Sequence, residues 1–587
     1  MAAMTDHAGH AGLLDTPAAP LRIGVVLFGN PRRQIARLLD CLERAAAEPG
    51  APAVAARFLD HSADDAAAAG FEERGLGHLY RRASNAGFGA GHNKLLADAF
   101  ARPEALAYLC LNPDAIPHPS LFVELWRALE GSPEICLVEA LQFPDEHPKP
   151  YDPTSGRTQW CSGCALLVPR RLHAAIGGFD ERYFVFCEDV DLSWRARAAD
   201  FPLRVAPRAL VHHYVGDRRF DRGREILLHR SAALLGARFG NAGFARGQQA
   251  GLRRLGATPA PLRIERPAPA LAAVADLDHG YSFTTPRWGP PAFAGELPQP
   301  LQPSSPPPPR PAPGEQLDDG LVTVVLRCEG PLAELDGALF ALACAAPGPM
   351  QIVATLSAGG PSRAEVEALL RRHQPLGGYD FSLGESGAIR GRLIAFHAAG
   401  ERIFPGHFEG LTAALRGGKA AWALARSRRA ELVPGSEAPY VAGKHDLGPI
   451  ELARAALLLG ELPPACAALF DRERLPANFI AQQAEDDRLR LLRLAASVPC
   501  ALVSGPPSCE RRAPRDERPS AAELELRAGL VAQLPLAELR EFAEALARRP
   551  VEAPPLPLRY RLADRVNGAL KAGLGPLHAW MRSFLDK

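Results

Sequence analysis

The chain has 587 residues, 47% of them hydrophobic, and Lys+Arg 67 against Asp+Glu 66 gives a formal net charge of +1. That length exceeds one hydrophobic core and implies two to four domains, while the balanced charge offers no field to attract nucleic acid, so no nucleic-acid partner is expected. Cys 11 without a repeating framework argues for reduced thiols, Cys161-x-x-Cys164 included, and the absence of a basic-then-apolar leader or of a run of eighteen apolar residues makes the cytoplasm the expected compartment.

Residues 1–20, rich in Ala, Gly, His and Pro, read as a disordered tail. The apolar run Leu21–Phe28 has strand length and ends at Gly29-Asn-Pro31. A helix follows, with Ile35, Leu38, Leu39 and Leu42 on one face, and a second strand, Ala53–Leu59, stops at Asp60. This is a βαβ start. Open α/β sheets bind ligands beyond the carboxyl ends of their strands, which makes Asp60 a candidate for a nucleobase or ribose.

The segment Asn85-Ala-Gly87-Phe88-Gly89-Ala-Gly91-His-Asn93 leads into a helix. Alternate glycines permit close backbone approach to a ligand, and the helix N-terminus behind them favours a phosphate-like charge. The Gly-Lys-Ser/Thr ending of an ATPase loop is missing. The strand Leu106–Leu111 then ends at Asn112-Pro-Asp114, where a carboxylate facing a phosphate loop has the hard oxygen ligand that a divalent cation on a diphosphate requires.

Helix Pro119–Glu130 and strand Ile135–Leu141 precede a polar loop over 144–158. The strand Cys164–Val168 is led in by Trp160-Cys-Ser-Gly163. Next comes Gly177-Gly-Phe-Asp-Glu-Arg-Tyr-Phe-Val-Phe-Cys-Glu188-Asp189-Val-Asp191, in which two glycines and an aromatic run deliver three acids to a helix start. An acidic first turn alone complements a helix dipole. After an apolar strand and a Gly-Gly turn, these acids read as reactive carboxylates at the mouth of a site. Short strands over 203–206 and 209–211 lead to His212-His213-Tyr-Val-Gly216.

This stretch resembles the acceptor-side motif of glycosyltransferase family 2, and the Asn85–Asn93 segment is similar to the glycine loop of its rhamnosyltransferase-like branch. The resemblance implies an α/β GT-A fold with a Rossmann-like mixed sheet and an inverting transfer of sugar from a nucleotide-diphosphate donor, dTDP-rhamnose on the branch resemblance. It assigns the general base to Asp189, with Glu188 and Asp191 positioning acceptor or base. It also assigns Mg²⁺ or Mn²⁺ binding to Asp114 and His213, with His212 as the alternative. Nucleotide contacts fall to Asp60, Asn85, Gly87, Phe88, Gly89, Gly91, Asn93 and Asn112, and acceptor contacts to Gly163 and Trp160. The family's Asp-Asn-x-Ser is Asp60-His-Ser here, and its Ser-rich flexible loop is replaced by a basic one over 217–224.

Residues 263–318 are proline-rich and read as a stiff linker without helix or inner strand. Beyond it the βαβ pattern restarts with strand Leu321–Leu326, helix Leu332–Cys344 and strand Gln351–Leu356. The strand Arg392–Phe396 ends in His397-Ala-Ala-Gly, where family 2 would carry its metal acid. Glu485-Asp486 resembles the acidic motif, but Arg488 stands where Asp191 does.

The expected organisation is therefore a tail over 1–20, a catalytic GT-A domain over 21–262, the linker, a degenerate GT-A-like domain over 319–510 and a C-terminal helical region over 511–587. The second domain would serve as scaffold, acceptor-binding or dimerising module. The basic, amphipathic helices of the C-terminal region offer a means of peripheral contact with a membrane. The expected acceptor is a glycan or lipid-linked glycan. Three rivals stand beside the transferase: a hydrolase, which has no use for a nucleotide loop; a nucleotidyltransferase, which should carry a basic glycine loop after its first strand; and a non-catalytic carbohydrate-binding or scaffolding protein of glycan assembly.

Overall fold

The computed structural model describes residues 11–531, apart from 133, 216–219, 278–317, 346–347, 385–388, 448–461, 476–488, 492, 495–497, 499, 516 and 518. The Glu485-Asp486 motif, most of the proline-rich segment and everything beyond 531 therefore lie outside the described residues.

Eight strands form the first sheet: β1 (Leu21–Leu27), β2 (Val54–Asp60), β3 (Tyr80–Arg82), β4 (Ala107–Leu111), β5 (Ile116–Pro117), β6 (Leu137–Phe143), β7 (Ala165–Pro169) and β8 (Leu203–His212). Their order is β3-β2-β1-β4-β7-β6-β8-β5. Strands β1 to β4 run parallel, because each is returned by a helical crossover, while β7 is antiparallel to both β4 and β6. β1 and β4 are buried along their whole length, as their unbroken apolar runs require. Helix α1 (Arg32–Ala47) covers the sheet with Ile35, Leu38, Leu39 and Leu42. The mixed α/β sheet has the GT-A-like form expected from the sequence.

A seven-stranded sheet follows, built from β9 (Asp318–Cys328), β10 (Met350–Leu356), β11 (Asp380–Leu383), β12 (Gly391–Ala398), β14 (Trp422–Leu424), β17 (Ala468–Asp471) and β18 (Cys500–Leu502). Its order, β11-β10-β9-β12-β17-β14-β18, repeats the first seven places of the first sheet, including the antiparallel strand at the fifth place, and among the described residues has no counterpart of β5. The registers also correspond. Val25 lies beside Leu111 and Val325 beside Phe396, and both central strands run into a Pro-led helix, at Pro31 and Pro331. A four-stranded sheet of β13 (Glu401–Ile403), β15 (Ser427–Val433), β16 (Tyr440–Asp446) and β19 (Cys509–Pro514) is added to the second copy.

Residues up to Arg518 form one compact unit, and residues from Pro519 form another, described only by a helix over Ala521–Val531. Within the first unit, charges join the two copies. Asp145 pairs with Arg428 at 2.8 Å and Lys444 at 2.5 Å, and both bases also reach Glu510. Phe143 and Phe340 share a small core.

Several expectations need correction. Residues 11–20 are not a loose tail: Leu14 and Ala19 are fully buried and Asp15 bridges to Ala55. Residues 203–212 are one strand, whose shifted register against β6 accommodates the Pro207 interruption. The basic loop is helical from Arg222, and a short helix over Pro269–Val274 interrupts the linker, with Pro269 at the helix start, where its missing N–H costs nothing. No helix of the described residues is long and apolar enough to cross a membrane, and no disulfide joins the cysteines.

Candidate active site

The acidic turn is built under strain. Phe186 and Cys187 adopt φ of 70° and 66°, a left-handed conformation that L side chains rarely take, and Cys187 starts helix α6 (Glu188–Ala198). Such outliers persist where the surroundings over-determine them, and here the reverse turn points the next two acids back towards β7. Asp189 Oδ2 accepts from Gly163 N–H at 2.9 Å and its Oδ1 from Val190 N–H at 2.8 Å. Asp189 is partly exposed, whereas Glu188 is buried. Burial and then the charge of Asp189 push the Glu188 carboxyl well above its ordinary range. Asp189 is raised by burial, but its N–H donors and the Lys149 ammonium oppose the shift. Of the two, Glu188 is the more strongly raised, while the N–H donors favour the charged form of Asp189.

Asp191 does not line this mouth. It is fully buried, with Arg195 at 2.7 Å on one oxygen and Arg238 on the other. Arg195 in turn donates to the carbonyls of Ile176 and Gly178, so Asp191 anchors the Gly-Gly turn to α6.

On the neighbouring strand ends, His213 Nε2 lies 3.6 Å from Asp114 Oδ2. The ring is oriented by its Nδ1, which is 3.0 Å from Gln142 Oε1 and donates there, leaving Nε2 as a lone-pair donor towards Asp114. A carboxylate oxygen and a neutral imidazole nitrogen at this separation fit one divalent cation whose remaining positions go to water and diphosphate oxygens. His212 is unsuited to that role. It is buried within reach of the Phe340 ring of the second copy, and burial holds it down at about 3.

A continuous chain joins the two acids. Gln142 Nε2 donates to Ser162 Oγ at 3.2 Å, Ser162 N–H donates to Glu139 Oε2 at 2.8 Å, and Gly163, next in sequence, holds Asp189. Lys149 pairs with Glu139 and donates to the Trp160 carbonyl. Gln142, Ser162, Glu139 and Lys149 were missed in the sequence. Two polar residues inside the apolar run Leu137-Val-Glu-Ala-Leu-Gln-Phe143 were the available signal, since a buried strand keeps a carboxylate only if it is paired.

The glycine segment differs from a ligand cradle. Helix α3 (Phe88–Phe100) begins at Phe88, so Gly89 and Gly91 sit inside it. A Cβ at Gly89 would stand 2.9 Å from Phe179, and one at Gly91 2.9 Å from both His61 and Val26; these glycines let α3 pack on β1 and on the acidic turn. Gly87 has φ of 95°, and its Cβ would meet the Phe184 carbonyl at 2.3 Å. Asn85 closes a local turn by accepting from Gly87 N–H. Asn93 accepts from Phe179 N–H at 2.8 Å and donates to its carbonyl at 2.9 Å, clamping the Gly177–Phe179 turn.

Two further candidates are held by the protein itself, and a third shapes a turn by its backbone. Asp60 is fully buried, accepting from Ser62 N–H, Ser62 Oγ and Tyr80 Oη. Trp160 belongs to the core with Tyr183, Val190 and Trp194. Asn112 caps the turn after β4, its N–H donating to the Cys164 carbonyl at 2.8 Å. Phe88 and Gly163 do reach the site: Phe88 lies 3.3 Å and Asp189 3.5 Å from where a Gly163 Cβ would be.

No protein-family model matches the chain. A segment of 81 residues is 38% identical to the N-acetylglucosaminyl-diphospho-decaprenol L-rhamnosyltransferase of Mycobacterium tuberculosis, covering 14% of this chain and 25% of that protein. Another of 55 residues is 38% identical to the rhamnosyltransferase WbbL of Escherichia coli, covering 9% and 21%. The chain resembles rhamnosyltransferases. It spans about a quarter of the length of these curated relatives. Solved structures similar to this chain include the mannosyltransferase PcManGT from Pyrobaculum calidifontis in complex with GDP-Man and Mn²⁺ (13% identity, 46% of this chain and 87% of that one, TM-score 0.30) and S. aureus TarS (14%, 40% and 42%, TM-score 0.29).

Proposed function

We propose that the first copy, within residues 21–262, is an inverting family 2 glycosyltransferase that moves a sugar, rhamnose on the sequence similarity, from a nucleoside diphosphate to a hydroxyl of a lipid-linked or other glycan. The observation that carries this reading is the chain of hydrogen bonds and adjacent backbone from Asp189 through Gly163, Ser162 and Gln142 to His213, whose Nε2 lies 3.6 Å from Asp114. It couples a base and a cation-binding pair across neighbouring strand ends.

Inversion in one displacement requires a base for the attacking hydroxyl on one side of the anomeric carbon and charge stabilisation for the departing diphosphate on the other. Asp189 takes the hydroxyl proton; its raised affinity for protons strengthens it as a base, and the Gly163 N–H and Lys149 keep it ionised between turnovers. Glu188, protonated and buried, does not compete for that proton. Asp114 and His213 would hold Mg²⁺ or Mn²⁺, which supplies electrostatic stabilisation of the leaving diphosphate when bound. Gly163 leaves room beside Asp189 for the acceptor.

The test is release of nucleoside diphosphate from a panel of nucleotide sugars, dTDP-rhamnose included, with polyprenyl-diphosphate-linked N-acetylglucosamine as acceptor. Acceptor-dependent release that disappears in Asp189→Asn is expected. Failure with every donor would favour a carbohydrate-binding or scaffolding role.

A further inference from the structure

The register between the two sheets shows what the second copy carries where the first has its site. With Val325 matched to Val25, Phe396 matches Leu111, so His397 stands at Asn112 and Ala399 at Asp114. The antiparallel pairings Cys110 with Leu166 and Ala395 with Leu469 then place Cys466 at Gly163. The acid of the open site is gone, with Ala399 in its place, while an imidazole stands at Asn112 and a thiol at the glycine.

These two meet Glu401, and one donor atom from each of His397, Glu401 and Cys466 lies within 4.8 Å of the others. All three residues are at least 97% buried, at 1%, 3% and 2% exposed. They come from the end of β12, the start of β13 and the turn before β17, so the fold, not one local loop, assembles them. The His397 Nε2 has no hydrogen-bond partner, and its Nδ1 stands 3.7 Å from Glu401 Oε2. That is too long for a hydrogen bond, but two ligands of one tetrahedral ion, each about 2.0–2.3 Å from it, lie roughly 3.3–3.8 Å apart. Glu401 is fixed by the N–H groups of Ala398, Ala465 and Cys466 at 3.0, 2.6 and 3.2 Å, and among the described residues His397 is its only ion-pair partner. The Cys509 thiol at the start of β19 adjoins Cys466 and donates to the Arg426 carbonyl at 3.8 Å. A buried carboxylate, an imidazole whose Nε2 has no hydrogen bond and a thiol form a donor set suited to a cation.

We propose that the second copy holds a buried, structural Zn²⁺ site ligated by His397, Glu401 and Cys466. Binding displaces the Cys466 thiol proton to solvent, giving one thiolate, one carboxylate and one neutral imidazole around the ion. The site staples β12, β13 and the turn before β17 together where the first copy opens to substrate.

The test is metal analysis of the full-length chain, expressed in medium supplemented with zinc or, separately, with cobalt. About one zinc per folded chain is expected, and the cobalt protein should show the intense near-ultraviolet charge-transfer band of thiolate ligation. Cys466→Ser and His397→Ala should each lower zinc content about tenfold or more, whereas Asp114→Ala should leave it unchanged. Folded wild-type protein without zinc and without that cobalt band would overturn the proposal. So would zinc that survives Cys466→Ser but is lost in Asp114→Ala, which would assign the ion to the first copy.

Discussion

The two copies share a strand order and a register, yet among the described residues they differ at the strand-end positions that carry the candidate site of the first. In the first, β4 ends in Asn112-Pro-Asp114 and β6 carries Glu139 and Gln142. In the second, the same register positions are His397-Ala-Ala399, Ala423 and Arg426. The first copy keeps strained backbone at Phe186 and Cys187 before its acids. Among the described residues of the second copy, no residue other than glycine has positive φ. The comparison teaches that the sheet is a scaffold on which a site can be kept or replaced without disturbing the core, because catalytic groups occupy strand ends and turns while the apolar strand interiors hold the fold.

The largest effect that would sharpen this contrast is on turnover. Asp189→Asn should lower the transfer rate by about 10²–10⁴-fold with an unchanged circular dichroism spectrum, and a loss of less than tenfold would remove Asp189 as the base. Next is stability. Asp191→Ala removes a fully buried carboxylate from half-buried Arg195 and Arg238, of which Arg238 keeps Asp180, and urea unfolding should show a loss of about 1–3 kcal/mol. A smaller effect is expected from the residue that orients the His213 ring. Gln142→Ala should raise the Mn²⁺ concentration needed for half-maximal activity by about 10–100-fold, while Arg426→Ala at the matching place in the second copy should not.

The smallest concerns Glu188. Its folded carboxyl binds protons more tightly than in the unfolded chain. The associated stability is complete below the unfolded value of about 4.3 and is lost as pH rises through the folded one. Glu188→Gln cannot ionise, so its thermal midpoint should gain on the wild type as pH rises from about 4.3. Parallel midpoint curves would show that the carboxyl is not perturbed.

Much of the fold was legible, because β1, β2, β4, β9, β10 and β12 are largely buried apolar runs bounded by turn residues, and α1 presents a regular apolar face. The second copy was visible only through the same pattern, and its equivalence needed the strand registers. The acids of the site were legible as side chains, but their division of labour was not. Asp191 looks like Asp189 in sequence, and only the arginines from α6 and from helix Arg222–Arg238, the latter distant in sequence, make it an internal anchor. The glycines of the Asn85–Asn93 segment were legible as points of close approach, but what approaches Gly87, Gly89 and Gly91 is the protein itself, since Phe184, Phe179, His61 and Val26 fill the space. Gln142 and Glu139 were hidden because a single polar residue in a strand signals function only when its partners, here brought from 149, 162 and 213, are known.

The claim that one copy binds donor and the other does not is tested most directly by calorimetric titration of the full-length chain with dTDP and UDP in the presence of Mn²⁺. The expected result is one nucleotide per chain, abolished by chelator and by Asp114→Ala. Two nucleotides per chain, or binding that survives Asp114→Ala, would contradict it.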